Sequence, residues 1–336
     1  MENRMERPSA AAADDRVVVR NVLGPRDRHA ELARDVRDGL TGPVKEIPPK
    51  YFYDARGSDL FERITALPEY HPTRAETEIL ELHAADFVSD VGAHVLVEYG
   101  SGSSTKTRRL LDAMHAQGTL EGYAPVDVSE DAVHAAADLL VSEYPELHVV
   151  IVVADFDAPL DLSFAGRPRL IAFLGSTIGN FTPEAARRFM VCVAEELEPG
   201  DGFLIGFDLV KDARELEAAY DDAAGMTAAF NLNLLSVLNR ELHADFDERT
   251  FRHRALYDAG RARIEMHLVS EIAQSVRIAD LDLEVRFEAG ESIRTELSHK
   301  YTPESARRLL EAGGLRVRRW ETDGSARFAV ALAERR

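Results

Sequence analysis

Read for the spacing of apolar and polar positions, the chain divides into three stretches. Between about residues 95 and 210, short apolar runs alternate with segments of helical period. Runs at Val95 to Tyr99, Gly122 to Asp127, Val149 to Val153, Leu170 to Leu174 and Gly202 to Asp208 each precede a helix or loop. That alternation predicts right-handed βαβ units and a parallel sheet covered by helices on both faces. From about Leu209 to Lys300 the rhythm breaks. Arg214 to Leu242 reads as helix interrupted near Gly225, and short strands are predicted at Phe251 to His253, Arg263 to Ser270 and Leu283 to Phe287. Alternation then resumes. Thr302 and Pro303 open a helix that Gly313 closes, and Leu315 to Glu321 and Ala326 to Ala333 flank an Asp323-Gly324 hairpin signal.

Ahead of the sheet, helices are predicted over Arg28 to Leu40, from a cap near Ser58, and over Arg74 to Phe87 with Thr73 as cap. Between the first two lies a loop crowded with Tyr51, Phe52 and Tyr53, read either as loop packing or as a lid with phenols facing a pocket. Residues 1–15 carry no core-building period and are expected to be disordered. The expected organisation is a substrate-binding unit from residues 16–74 and 211–300, and a sheet unit from residues 75–210 and 301–336. The fold class is α/β: a Rossmann-like sheet ending in an antiparallel hairpin, with a second, mixed α+β domain.

Composition narrows the function. A net charge of −19, from 59 acidic and 40 basic residues, disfavours a nucleic-acid backbone as partner. Cys192 is the single cysteine, which excludes disulfides within the chain and cysteine metal clusters, and no metal site is expected. No apolar run approaches the roughly 18 to 20 residues that span a bilayer. A monomer in the cytoplasm acting on a small molecule, without membrane contact, is the expectation.

The candidate chemistry centres on Val95-Leu-Val-Glu-Tyr-Gly-Ser-Gly-Ser-Ser-Thr-Lys-Thr107, a strand that runs through Glu98 into Gly100 and Gly102 and then into a helix. A phosphate-binding Walker loop or a dinucleotide fingerprint would need glycine where Thr105 stands. The glycine loop of an S-adenosylmethionine-dependent methyltransferase fits better, since that ligand carries no phosphate and asks only for close backbone approach. Lys106 could then neutralise its methionyl carboxylate. Asp127, ending the second strand, can accept from both ribose hydroxyls, as it could in an NAD enzyme. Asp155 can accept from an adenine amino group, with Phe156 lining the ring. At the fourth strand, Phe173-Leu-Gly-Ser-Thr-Ile-Gly-Asn-Phe181 offers an opening of small residues for an acceptor. Four strand ends form one edge, where open α/β sheets bind ligands.

Four motifs carry a further likeness. Tyr51-Phe-Tyr-Asp-Ala-Arg-Gly-Ser-Asp-Leu-Phe-Glu62, Glu98-Tyr-Gly-Ser-Gly-Ser-Ser-Thr-Lys-Thr107, Leu174-Gly-Ser-Thr-Ile-Gly-Asn180 and Thr295-Glu-Leu-Ser-His-Lys-Tyr301 resemble the histidine Nα-methyltransferases of ergothioneine biosynthesis. The resemblance covers nearly all of the chain beyond the first fifteen or so residues. It implies three methyl transfers from S-adenosylmethionine to the α-amino group of free L-histidine, through mono- and dimethylated intermediates, giving hercynine. It also implies that Gly100, Lys106, Asp127, Asp155 and Phe156 hold the cofactor. Tyr70, Asn180, Tyr220, Glu296 and Ser298 would then hold histidine, with Tyr53 and Met266 lining its pocket. The residues themselves give this a physical sense. In an extended Ile293 to His299, Glu296 and Ser298 share a face, and a carboxylate plus a hydroxyl can satisfy the N–H and the bare nitrogen of a neutral imidazole. No residue is assigned as general base; Asn180 and Tyr70 are expected to position the amine. A methyltransferase for another small amine or carboxylate, a non-catalytic nucleotide-binding scaffold and an NAD-dependent oxidoreductase are the alternatives.

Overall fold

The computed structural model describes residues 16–22, 28–101, 106–127, 130–154, 160, 162 and 165–336. Residues 1–15, expected to be disordered, lie outside them. In chain order the elements are β1 (Val17–Asn21), α1 (Arg28–Thr41), α2 (Ala55–Thr65), α3 (His71–Val91), β2 (Val95–Tyr99), α4 (Thr107–Gln117), β3 (Gly122–Asp127), α5 (Glu130–Glu143), β4 (His148–Val153) and β5 (Arg169–Phe173). Then come α6 (Pro183–Glu196), β6 (Gly202–Asp208), α7 (Ala213–Tyr220), α8 (Met226–Leu242), β7 (Phe251–Asp258), β8 (Arg263–Ser270), β9 (Gln274–Ile278), β10 (Leu283–Phe287) and β11 (Ser292–His299). The chain ends with α9 (Pro303–Ala312), β12 (Leu315–Thr322) and β13 (Phe328–Arg335).

One eight-stranded sheet runs β1-β4-β3-β2-β5-β6-β13-β12. Its first six strands pair in parallel, and β13 and β12 close it antiparallel. β2, β5 and β6 are buried along their whole length, as parallel strands covered on both faces must be. One core packs α3, α4 and α5 on one face, through residues such as Ile79, Phe87, Leu111 and Leu140. The other packs α6 and α9 on the opposite face, through Phe189, Met190, Ala306 and Leu310. Strand order reverses between β2 and β5, so the crevice that such a sheet offers a ligand opens between the loops following these two strands.

A third core joins α1, α2, α7 and α8 to two small antiparallel sheets, β11-β8-β7 and β10-β9, through Leu32, Leu60, Phe230, Leu234, Leu268 and Ile293. The expected 16–74 segment departs from this grouping at its start, because β1 pairs in parallel with β4 in the large sheet. A run as short as Val17-Val-Val19 shows no period from which a strand could be read. Two caps also differ from expectation. α2 is capped by Asp54, whose carboxylate accepts from Gly57 N at 2.8 Å, rather than near Ser58. α3 starts at His71 with Pro72 in its first turn, which leaves Thr73 inside the helix. Thr302 caps α9 in a reciprocal box with Ser305. Among the described residues no helix is long and apolar enough to cross a membrane.

Candidate active site

The strand-end edge carries the first half of the site. After β2 the chain turns at Gly100, whose φ of +69° lies in the left-handed region and where a Cβ would meet nothing within 4 Å. Glu98 is buried beneath this turn and accepts from Thr107 Oγ1 at 2.6 Å and Tyr123 Oη at 2.7 Å, tying β2 to α4 and β3. Burial pushes its carboxyl up to about 7, against the pull of those two hydroxyls. Lys106 stands ahead of α4 and pairs with Glu76 of α3. Glu76 is fully buried and also accepts from the backbone N–H of Gly175, at 2.8 and 2.9 Å, at the mouth of the loop after β5. Asp127 ends β3, next to β2 in the sheet. Gly102, Asp155 and Phe156 lie outside the described residues.

These groups suit a ligand with a carboxylate at one end and a ribose at the other. An open glycine turn leaves room for it. The Ser101 hydroxyl is buried without a hydrogen-bond partner among the described residues, the Lys106 ammonium stands paired with Glu76, and an acid stands at the neighbouring strand end.

The second half of the site lies across the crevice. After β5 the chain makes a short 3-10 turn over Thr177–Asn180 that packs on β11. Gly179 permits the approach, since a Cβ there would sit 2.8 Å from the His299 carbonyl oxygen and 3.4 Å from Ser298 Oγ. Asn180 is thereby set beside β11. Along β11 the register against β8 slips at Thr295: Ile293 faces Leu268, but Glu296, not Thr295, faces Met266, and Ser298 faces Ile264. A bulge moves every later side chain to the other face. Glu296 and Ser298 therefore join Ile293 and Met266 on the inner side, while the Thr295 hydroxyl donates to the Met266 carbonyl. The expected sharing of a face by Glu296 and Ser298 holds, and the bulge decides which face it is.

Around this pair stand three phenols. Tyr220 ends α7 with its hydroxyl 2.8 Å from Ser298 Oγ. Tyr70, just before α3, sets its ring edge-on to Tyr220 with centroids 6.3 Å apart, and Glu296, Tyr53 and Asp208 share its electrostatic surroundings. Burial pushes the phenols of Tyr70 and Tyr220 well above the usual range, so both stay protonated. In the aromatic loop, Phe52 is buried against Phe230 and Tyr51 donates to Asp35, so both serve packing. Tyr53 alone stays half-exposed, edge-on to Phe61 and Phe230. The polar ends of Tyr53, Tyr70, Asn180 and Glu296 have no hydrogen-bond partner among the described residues. Burial pushes the Glu296 carboxyl up to about 7, with Lys300 pulling the other way.

Sequence reasoning missed the layer beneath. Asp208, at the end of β6, meets Lys300 Nζ at 2.7 Å and His71 Nε2 at 3.1 Å, and pairs with Lys211. Burial alone would raise its carboxyl; these neighbours hold it well below the usual carboxylate range. His71 and Lys300 gave no sign in the sequence, because each reads singly as an ordinary polar residue. Glu76 was hidden among the many acids of a long helix.

A parallel sheet closed by an antiparallel pair, with a glycine turn at its switch point and an acid at the next strand end, defines a class I S-adenosylmethionine-dependent methyltransferase. Residues 32–335 match the family described as histidine-specific methyltransferase, SAM-dependent, and the chain belongs to that family. It is 49% identical over 316 residues to the histidine N-alpha-methyltransferase of Mycolicibacterium smegmatis, an alignment covering 94% of this chain and 98% of that one. The protein of the same name from Mycobacterium tuberculosis is 47% identical over 318 residues, covering 95% and 99%. Ergothioneine biosynthesis protein 1 of Neurospora crassa is 30% identical over 301 residues, covering 83% of this chain and 32% of its own length.

Proposed function

We propose that the protein methylates the α-amino nitrogen of free L-histidine three times, giving hercynine at the first step of ergothioneine biosynthesis. Its family and the names of its relatives support the reaction. The observation that carries the substrate is the unpartnered Glu296 carboxylate beside the Ser298–Tyr220 hydroxyl pair: an acceptor and a donor set side by side at the crevice where a methyl donor is held.

S-adenosylmethionine supplies an electrophilic methyl group on a sulfonium centre. The chain supplies position. Gly100, Lys106 and Asp127, with Gly102, Asp155 and Phe156, are the residues that would hold the donor, and Glu98 braces their loop. Glu296 takes the ring N–H of histidine and Ser298 donates to the other ring nitrogen. Asn180 and Tyr70 grip the head group, Tyr220 backs the Ser298 hydroxyl, and Met266 and Tyr53 flank the pocket. Holding a nucleophile in line at near-attack distance supplies several kcal/mol of a barrier. Each transfer removes one N–H from the amine, so a grip that lasts through three rounds must rest on the ring and the carboxylate, as this one does. The amine must shed a proton before each attack, and we assign no residue of the chain as its acceptor. The protein works as a monomer on small molecules in the cytoplasm, and its acidic surface keeps nucleic acid away.

The test compares kcat/KM for histidine, histamine and phenylalanine. Loss of turnover with both analogues is expected, because each lacks one half of the grip. Phenylalanine turned over as well as histidine would refute the ring assignment.

A further inference from the structure

Lys300 follows β11 directly, where the chain re-enters the large sheet: Tyr301 N donates to the Asp208 carbonyl and Val210 N to that of Tyr301. Its side chain is fully buried. An ammonium has three N–H donors and no acceptor. Two of these are used in hydrogen bonds within the protein, on Tyr220 Oη and Ser298 Oγ, each at 2.9 Å, and the charge pairs with Asp208 Oδ2 at 2.7 Å. The cation also lies 4.5 Å from the centroid of the Tyr220 ring. Fully buried behind these two hydroxyls, it acts on the site through Tyr220 and Ser298.

We propose that Lys300 is a positioning residue that fixes the direction of the hydrogen bonds at Ser298 and Tyr220, so that the pair meets histidine only as a donor and selects the neutral imidazole. The inference rests on histidine being the substrate. Both hydroxyl oxygens accept from the same ammonium, and they lie 2.8 Å apart, so one hydroxyl donates to the other. The phenol is the stronger acid and donates to Ser298. Ser298 Oγ then accepts twice, from Lys300 and from Tyr220, and its own hydrogen is directed outward. Without the lysine the two hydroxyls could rotate, and Ser298 could as well accept from a ring N–H. With it, the side of the pocket facing Ser298 carries a donor backed by a buried cation, which repels an imidazolium, while Glu296 on the same strand takes the single N–H of the neutral ring. Asp208 compensates the charge of Lys300, with His71 and Lys211 behind it, so the cation remains in place when the pocket is empty.

The experiment measures KM for histidine, kcat and S-adenosylmethionine affinity in the wild type, Lys300→Met, Ser298→Ala and the double variant. We expect Lys300→Met to raise KM for histidine at least tenfold, with kcat within about threefold and cofactor affinity within twofold. The double variant should be no worse than the poorer single one, because both changes act through the same Ser298 hydroxyl. A KM within twofold of wild type, single effects that multiply in the double variant, or cofactor affinity falling in step with KM would each overturn the proposal, the last by showing that the lysine merely holds the two cores together. Should Lys300→Met fail to fold, Lys300→Arg takes its place with the same expectations, since it keeps the charge opposite Asp208 but trades three tetrahedral N–H directions for a planar fork. A wild type that does not methylate histidine would overturn the functional reading itself, and is distinguished by that arm alone.

Discussion

Replacing Glu296 by glutamine should make the ligand-free protein more stable and the enzyme poorer. Burial raises the Glu296 carboxyl from 4.5 to about 7. A rise of about 2.5 pH units corresponds to about 3 kcal/mol at ~1.36 kcal/mol per unit. The sign follows from which state holds the proton more tightly. The folded protein does, so the stabilising contribution of the protonated acid is complete below pH 4.5 and is lost as pH rises to about 7. Above that the wild type bears the whole burden of a buried anion, whereas glutamine never ionises. The variant should therefore unfold at the wild-type temperature near pH 4.5, gain steadily up to pH 7 and hold a plateau beyond it. With an unfolding entropy of ~2.1 cal/mol/K per residue, about 3 kcal/mol amounts to roughly 4 °C for a chain of this length. Histidine binding moves the opposite way. Glutamine keeps an acceptor oxygen but loses the charge, a difference of about 1 to 1.5 kcal/mol, or roughly 5- to 15-fold in affinity. Thermal unfolding at pH 4.5 and 8, with calorimetric titration of histidine at pH 8, reads both. A variant no more stable than wild type at pH 8, or one binding histidine as tightly, would refute the reasoning.

Two further substitutions test the two halves of the site. Asp127→Ala should lose about a hundredfold or more in S-adenosylmethionine affinity by calorimetry, since two hydrogen bonds to a charged group are worth about 1.5 to 3 kcal/mol each, while the protein stays folded; unchanged affinity would remove Asp127 from the ribose. Gly179→Ala should lower kcat/KM for histidine at least tenfold while leaving cofactor affinity intact, because a Cβ 2.8 Å from the His299 carbonyl oxygen must push the turn carrying Asn180 off β11. Steady-state kinetics indistinguishable from wild type would show that this contact does not position Asn180.

Much of the large sheet was legible because burial on both faces forces continuous apolar runs, and β2, β5 and β6 consist of little else. The Gly100 turn could be read for a related reason: its positive φ asks for glycine, and glycine shows in a sequence. What stayed hidden depends on pairing at a distance. The outer strand β1 is too short to show a period, and the short β9 went unread beside the β10 it pairs with. The slip at Thr295 leaves no compositional mark, yet it decides which face of β11 meets the pocket. Lys300, Asp208 and His71 come from three distant segments, and only folding makes them one cluster. The motif holding Glu296 and Ser298 announced itself through family likeness; the lysine two residues on did not, because a lysine after a strand ordinarily reads as a solvated end.

The most direct measurement is mass spectrometry after incubating the protein with methyl-labelled S-adenosylmethionine and a panel of free amino acids. Three labelled methyl groups on the α-nitrogen of histidine, and none on any other amino acid, is the result expected. Labelling of a different amino acid, or of the histidine ring nitrogen, would contradict the account.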